Sequence, residues 1–163
     1  MVSMTAVSEL VARWAHFYGH TRAVSATVTY VHLVGILAGG GVAVATDVAA
    51  LRLSPGRVAD WPGELDRLAA VHRWVVGSLA LIFASGVLLA LTELDSFATS
   101  GVFWTKMGLI ALLLGNGYIR TRAENTLRPG LAAGWGRFRR TSVASLVLWF
   151  VILLAGTLLH STA

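Results

Sequence analysis

The histidines offer the most chemistry in this sequence, which contains five of them and no cysteine. The lack of cysteine excludes disulfides, zinc–thiolate sites, iron–sulfur clusters and thiol nucleophiles. His32 and His160 fall near the ends of long apolar runs, and Lys106 opens a third run at a similar predicted depth. An imidazole at that depth costs free energy unless it is paired, ligated or hydrated. These three side chains therefore predict one pocket that ligates a metal, binds haem or relays protons.

Small residues share a helical face with each of these histidines. His32, Gly35 and Gly39 stand at spacings of three and four residues in the first run. Trp149 and His160 lie within about 20° of one line along the last run, on a small and polar face. Two interpretations stay open: faces on which helices pack closely, or the walls of a slot for a planar cofactor. The second interpretation makes Gly35, Gly39 and Trp149 cofactor-binding residues, with His32 and His160 as metal ligands.

A second group of ionisable residues is predicted at the opposite end of the helices. Asp47 ends the stripe of small residues in the first run, and His72, Arg73, Arg120 and Arg122 fall at a similar predicted depth. Opposite charges attract strongly where the dielectric constant is low. We therefore predict a structural ion pair between Asp47 and one of these arginines, or a rim that faces an anion.

The elements that must position these residues are membrane helices. Hydrophobic residues make up 56% of the 163 residues and charged residues only 13%, compared with about 45–50% and 25% in soluble domains. The mean hydropathy is +0.71. A soluble domain cannot bury this much apolar surface, so the composition argues against a soluble enzyme, a disordered chain and a nucleic-acid-binding domain.

Four apolar runs are long enough to cross a hydrocarbon core, which takes about 20 helical residues. None of them shows the alternation of a barrel strand. The sequence therefore predicts an all-α fold, a single transmembrane domain over residues 1–163 built as an integral membrane four-helix bundle. The predicted spans cover about 26–51, 74–92, 102–119 and 142–160.

Arginines predict the orientation of these spans. Four lie in the segment 52–73 and six in the segment 120–141, whereas 93–101 has no basic residue. Because cytoplasmic loops carry the excess of basic residues, both arginine-rich segments are predicted to be cytoplasmic, with both termini outside. The predicted localisation is the inner (cytoplasmic) membrane, with the lipid bilayer as the surrounding medium and no role for nucleic acid.

Two further helical features are predicted outside the spans. Residues 6–20 carry apolar side chains at helical spacing, with Glu9 and Arg13 on the opposite side. This pattern predicts an N-terminal amphipathic helix that lies in the membrane interface. Pro62 opens a helix that is predicted to run without a break into the second span.

Three stretches of the sequence resemble known membrane proteins. They are YVHLVGILAGG (Tyr30–Gly40), LDRLAAVHRWVVGSLALIFASGVLLA (Leu65–Ala90) and FWTKMGLIALLLGNGY (Phe103–Tyr118). In this order they are similar to the small bacterial membrane protoporphyrinogen oxidases of the HemJ type and to copper-resistance protein D-like membrane domains. The resemblance covers about residues 28–120.

The resemblance to the HemJ type implies a four-helix membrane protein that binds haem b and oxidises protoporphyrinogen. The characteristic histidine of the first span and lysine of the third correspond to His32 and Lys106. The resemblance thus implies His32 as an axial ligand, Lys106 or His160 completing the site, and a tetrapyrrole substrate. Lys106 is the catalytic residue under this interpretation.

Two other functions stay open at the level of the sequence. A copper-binding or transport-related module would use His16, His20, His32 and His160 as an outward-facing imidazole cluster. A non-catalytic structural subunit would need no cofactor and would pack its small-residue faces in a homo-oligomer or a larger membrane complex. The leading expectation is a haem-b-binding membrane redox protein, an oxidoreductase if it is an enzyme, whose redox partner the sequence does not identify.

Overall fold

The computed structural model describes residues 4–53, 61–127 and 134–162 of the chain. Every regular element within these ranges is helical, which confirms the predicted all-α fold class for them. In chain order the elements are α1 (Met4–His20), α2 (Arg22–Gly35), a π-helical turn (Ile36–Gly40), α3 (Gly41–Arg52), α4 (Trp61–Ala90), α5 (Leu94–Thr99), α6 (Gly101–Leu127) and α7 (Trp135–Thr162).

Three of the described helices are long and apolar enough to cross a membrane. They are Arg22–Arg52, which joins α2, the π-helical turn and α3, then Gly101–Leu127 and Trp135–Leu159. The apolar part of α4, Trp74–Ala90, is shorter. Large apolar side chains cover the outer faces, with Leu37 and Trp74 each 77% exposed. Helices with apolar outer faces are typical of a protein whose surroundings are lipid, so the structure indicates a membrane protein.

The long helices extend beyond the predicted spans. α4 begins at Trp61, has Pro62 in its first turn, and continues without a break to Ala90. α6 continues to Leu127 and α7 begins at Trp135. Both helices therefore include residues that the sequence pattern assigned to the connecting segment. Arginine is a good helix former, so a charged stretch prolongs a helix that an apolar run has started.

The first long helix changes its winding at its centre. Residues Ile36–Gly40 form a π-helical turn, which the sequence pattern did not predict. Before the turn, α2 packs mainly on α4, whereas after it α3 packs on α7 as well as on α4. A π-helical turn shifts the direction in which the following side chains face. It therefore lets one helix contact two different neighbours along its length.

The long helices form an open bundle with a cleft between α4 and α6. α6 packs mainly on α7 and touches α4 very little. Asn116 of α6 donates a hydrogen bond to the carbonyl oxygen of Thr141 on α7, at 2.8 Å. Two buried clusters form the core: Ala43, Leu113, Trp149 and Ile152 in one, and Ala50, Ala123, Leu127 and Phe138 in the other.

Candidate functional site

His32 of α2 is half-buried and is held by a hydroxyl of α4. Its Nδ1 atom lies 2.9 Å from Oγ of Ser85. The same Oγ lies 2.7 Å from the carbonyl oxygen of Leu81, one turn earlier on α4. Because a carbonyl oxygen can only accept, Ser85 can donate its single proton to Leu81, and the tautomer of His32 that is protonated on Nδ1 then donates to Ser85. In that tautomer the neutral ring has its free lone pair on Nε2, the atom that a metal ion would bind.

Gly86 leaves the space that the imidazole ring occupies. A Cβ atom at Gly86 would lie 3.2 Å from Cε1 of His32 and 3.7 Å from Nδ1. Ser85 and Gly86 thus orient the ring together, one by a hydrogen bond and the other by the absence of a side chain. Sequence reasoning did not identify either residue. The signal that could have found them is a Ser-Gly pair inside an otherwise apolar run.

Lys106 of α6 is half-buried and lies against α7. A Cβ atom at Gly156 would lie 3.4 Å from its Nζ atom. The amine also lies within electrostatic range of His32. Among the side chains that the structure describes, no carboxylate lies beside Lys106. Two basic side chains therefore lie within electrostatic range of each other at one end of the bundle, and we call His32, Ser85 and Lys106 the histidine–lysine cluster.

The side chain of His160 lies outside the described part of the structure. Its backbone belongs to α7, four residues after Gly156, the glycine beside Lys106. The pairing of His160 with His32 as two axial ligands therefore stays a prediction.

Gly35 and Gly39 lie directly against α4. A Cβ atom would come 2.9 Å from Cγ1 of Ile82 at the first position and 2.5 Å from Cβ of Ser78 at the second. A Cβ atom at either position would collide with α4, so both positions need glycine. The first long helix and α4 therefore approach closely along the stripe of small residues, as the packing interpretation predicts. Ile82 and Ser78 occupy the space over both glycines. A planar cofactor at Gly35 and Gly39 would require them to move, and that role stays a prediction.

Trp149 is a buried core residue of α7, with 6% of its surface exposed. Its ring lies on the π-helical turn, where a Cβ atom at Gly40 would come 3.2 Å from Cζ3 of the indole. Its contact with Ala43 and Leu113 joins three of the long helices. The predicted role of Trp149 at a cofactor is not tested by these contacts.

His16 and His20 lie exposed on α1 and contact each other. Their rings stack with centroids 4.0 Å apart, and Nδ1 of His20 donates to the carbonyl oxygen of His16 at 2.9 Å. Within the described ranges, no three His, Cys, Asp or Glu side chains converge as ligands of a metal ion. The four-histidine copper cluster includes His160, so it stays a prediction.

The predicted ion pair at the opposite end of the bundle is confirmed, and its arginine is Arg120. Nε of Arg120 lies 3.3 Å from Oδ1 of Asp47, which is 1% exposed. The hydroxyls of Ser142 and Ser145 on α7 face the same carboxylate, and the guanidinium lies 5.6 Å from the ring centroid of Phe138. The pair joins α3 to α6 and borders α7.

Comparisons with known proteins identify no relative of this chain. No protein-family model, no curated protein and no solved structure matches it. The functional assignment therefore depends on the histidine–lysine cluster and the ion pair themselves.

Proposed function

We propose that this protein binds haem b through His32 and acts as a membrane redox protein. The observation that carries the proposal is the hydrogen bond between Nδ1 of His32 and Oγ of Ser85 at 2.9 Å. Histidines that ligate metals almost always donate their other ring N–H in this way, because the bond fixes the tautomer and the ring orientation. Nε2 of His32 is thereby left as a ligand, and histidine is a common axial ligand of haem iron in helix bundles.

Lys106 is the second residue of the proposed site. A half-buried ammonium is costly where, as among the described side chains, no carboxylate lies beside it, and an anionic partner offsets that cost. Tetrapyrroles carry carboxylates, so Lys106 is suited to bind a carboxylate of the cofactor or of a tetrapyrrole substrate. When bound, haem supplies one-electron transfer. Under the protoporphyrinogen-oxidase-like interpretation Lys106 is the catalytic residue, and Lys106 or His160 completes the iron coordination.

The proposal includes α4 as the fourth span of an integral membrane four-helix bundle. α4 has 30 residues, which corresponds to about 45 Å of helix. A hydrocarbon core is about 30 Å thick, so the length of α4 suffices although its apolar part is short. We also propose that the arginine-rich ends of the bundle face the cytoplasm and that both termini are outside.

Absorption spectroscopy of the purified protein tests haem binding. Protein from haem-supplemented cells should show an intense Soret band, and His32→Ala should lose it. His16→Ala is the matched control, because His16 is exposed on α1 and its carbonyl bond to His20 comes from the backbone. A colourless preparation, or a Soret band of equal intensity in His32→Ala, would contradict the proposal.

A structural subunit of a larger membrane complex or a homo-oligomer is the second candidate, favoured by the outer face of α6. A Cβ atom at Gly115 would meet no other atom within 4 Å, and Leu112, three residues earlier on the same helix, is 61% exposed. Small residues on an exposed membrane helix are suited to close contact with another helix. Native mass spectrometry of gently solubilised membranes tests this role, and a homogeneous free monomer would contradict it.

A further inference from the structure

A cavity of about 380 Å³ lies between α4 and α6, beside the ion pair. Asp47 and Arg120 form its polar floor, and Asp47 is only 1% exposed. Its mouth is apolar, with Val76 50%, Leu114 54% and Tyr118 59% exposed. Since these residues lie on the outer faces of two membrane helices, the cavity opens sideways toward the lipid. A membrane-soluble molecule can enter it without crossing the ends of the bundle.

This cavity is separate from the histidine–lysine cluster. Asp47 follows His32 by 15 residues along the same long helix. At 1.5 Å per residue the two positions are about 22 Å apart. A ligand in the cavity is therefore a different molecule from a cofactor held by His32.

Three polar atoms of the ion pair on the floor of the cavity have no hydrogen-bond partner. They are Oδ1 of Asp47 and Nε and Nη2 of Arg120. The ion pair brings Oδ1 and Nε to 3.3 Å without hydrogen-bond geometry. Each unsatisfied buried polar group costs about 1–3 kcal/mol. A molecule that both accepts and donates hydrogen bonds would satisfy atoms of both signs.

The surroundings of the cavity offer hydrogen-bond donors and acceptors together. Asp47 and Glu124 contribute two carboxylates to its lining, and Arg120 contributes one guanidinium. The guanidinium of Arg122 lies over the ring of Tyr118 at the mouth. Because groups of both signs border the cavity, a neutral ring with a carbonyl oxygen and a hydroxyl group fits it, since a guanidinium donates to the first and a carboxylate accepts from the second. The indole of Trp149 offers a flat apolar wall for such a ring.

We infer that this cavity binds the head group of a lipophilic quinone or quinol. The guanidinium of Arg120, whose side chain is 16% exposed, donates a hydrogen bond to the carbonyl oxygen of the quinone, and the hydroxyl group of the quinol donates to a carboxylate of the lining, Asp47 or Glu124. The apolar tail leaves through the mouth between α4 and α6 into the bilayer. Binding there needs no cofactor at His32, so this inference and the proposed function fail or succeed separately.

Two glycines of α6 provide a matched pair of variants. Gly117 lines the cavity, and a Cβ atom at this position would meet no other atom within 4 Å. Gly117→Leu therefore places its side chain at the wall of the cavity, and its Cβ atom displaces no neighbour. Gly108 is equally open but does not line the cavity. Gly108→Leu is thus a control for the change in helix propensity and apolar surface.

The experiment measures binding of decylubiquinone to the purified full-length chain. Quenching of tryptophan fluorescence at constant detergent concentration reports the binding, because Trp149 borders the cavity. We expect saturable quenching in the parent protein and in Gly108→Leu, with an affinity about tenfold or more lower in Gly117→Leu. If Gly117→Leu does not fold, Thr121→Phe on the same wall is used in its place.

Three results would overturn the inference. The first is equal affinity in Gly117→Leu and Gly108→Leu. The second is linear, unsaturable quenching in all variants. Such quenching indicates that the quinone partitions into the detergent and that the cavity holds only water. The third is displacement of decylubiquinone by decanoate at equal or lower concentration, which indicates an anion site. A Soret band that is unchanged in Gly117→Leu would show that the two sites are distinct.

Discussion

The two ends of the helix bundle hold their ionisable groups in opposite ways. At one end Asp47 and Arg120 form an ion pair across two helices. At the other end the basic side chains of His32 and Lys106 lie within electrostatic range of each other, and the described side chains supply no carboxylate. Opposite charges offset part of each other's desolvation cost, whereas the neutral imidazole of His32 gives the ammonium of Lys106 no counter-charge. This contrast motivates the proposal of a ligand at the histidine–lysine cluster and the prediction that loss of one partner of the ion pair destabilises the fold.

The two ends of the bundle also differ in the hydrogen bonds that their ionisable groups form. His32 has the hydroxyl of Ser85 beside its Nδ1 atom and also contacts the backbone of Ile82. Arg120 and Asp47 contact each other but leave several atoms without a hydrogen bond. In our proposals one end therefore presents the metal ligand, and the other presents the polar floor for a neutral molecule with both donors and acceptors.

The largest effect on stability is expected from breaking the ion pair. Arg120→Met should lower the free energy of unfolding by about 3–5 kcal/mol, because it leaves the buried carboxylate of Asp47 without a counter-charge. The double variant Asp47→Leu/Arg120→Met should recover most of that loss. Unfolding in mixed micelles, followed by circular dichroism, measures both. If the double variant is less stable than Arg120→Met, Asp47 stabilises the fold through contacts other than the ion pair with Arg120.

A smaller effect, on ligand binding rather than on stability, is expected at Ser85. Ser85→Ala should weaken haem binding by about 10–100-fold, since the hydroxyl that fixes the His32 tautomer is lost. Ser85→Thr keeps the hydroxyl and should keep the affinity. Haem titration followed at the Soret band gives the affinity, and the unfolding midpoint should stay nearly the same in both variants. Equal losses of affinity in Ser85→Ala and Ser85→Thr would count against a positioning role.

The smallest effect, and one of opposite sign, is expected at Lys106. Lys106→Met in the haem-free protein should leave the free energy of unfolding unchanged or raise it by up to about 1 kcal/mol, because it removes a half-buried charge beside another basic group. The same unfolding experiment measures it, with Arg120→Met as the reference. A loss as large as that of Arg120→Met would reveal a stabilising partner of Lys106 and remove the contrast between the two ends.

Much of the architecture could be predicted because it depends on local periodicity. Apolar runs and the spacing of small residues predicted the helical class and the close approach of Gly35 and Gly39 to another helix. Depth along the helices predicted that Asp47 would meet an arginine, which is confirmed for Arg120. Depth alone did not distinguish Arg120 from Arg122, whose guanidinium lies over Tyr118 instead.

The sequence by itself determined a helical, membrane-compatible chain and the depth of its ionisable groups, because a helix advances by a constant rise per residue. Only the tertiary structure decided which groups meet. The π-helical turn at Ile36–Gly40 redirects the first long helix from α4 toward α7, and α6 packs on α7 rather than on α4. The packing of α2 on α4 brings Ser85 to His32, and the small contact between α6 and α4 leaves the cavity beside Arg120 open. The contacts join residues that are distant in the sequence, so no local pattern records them.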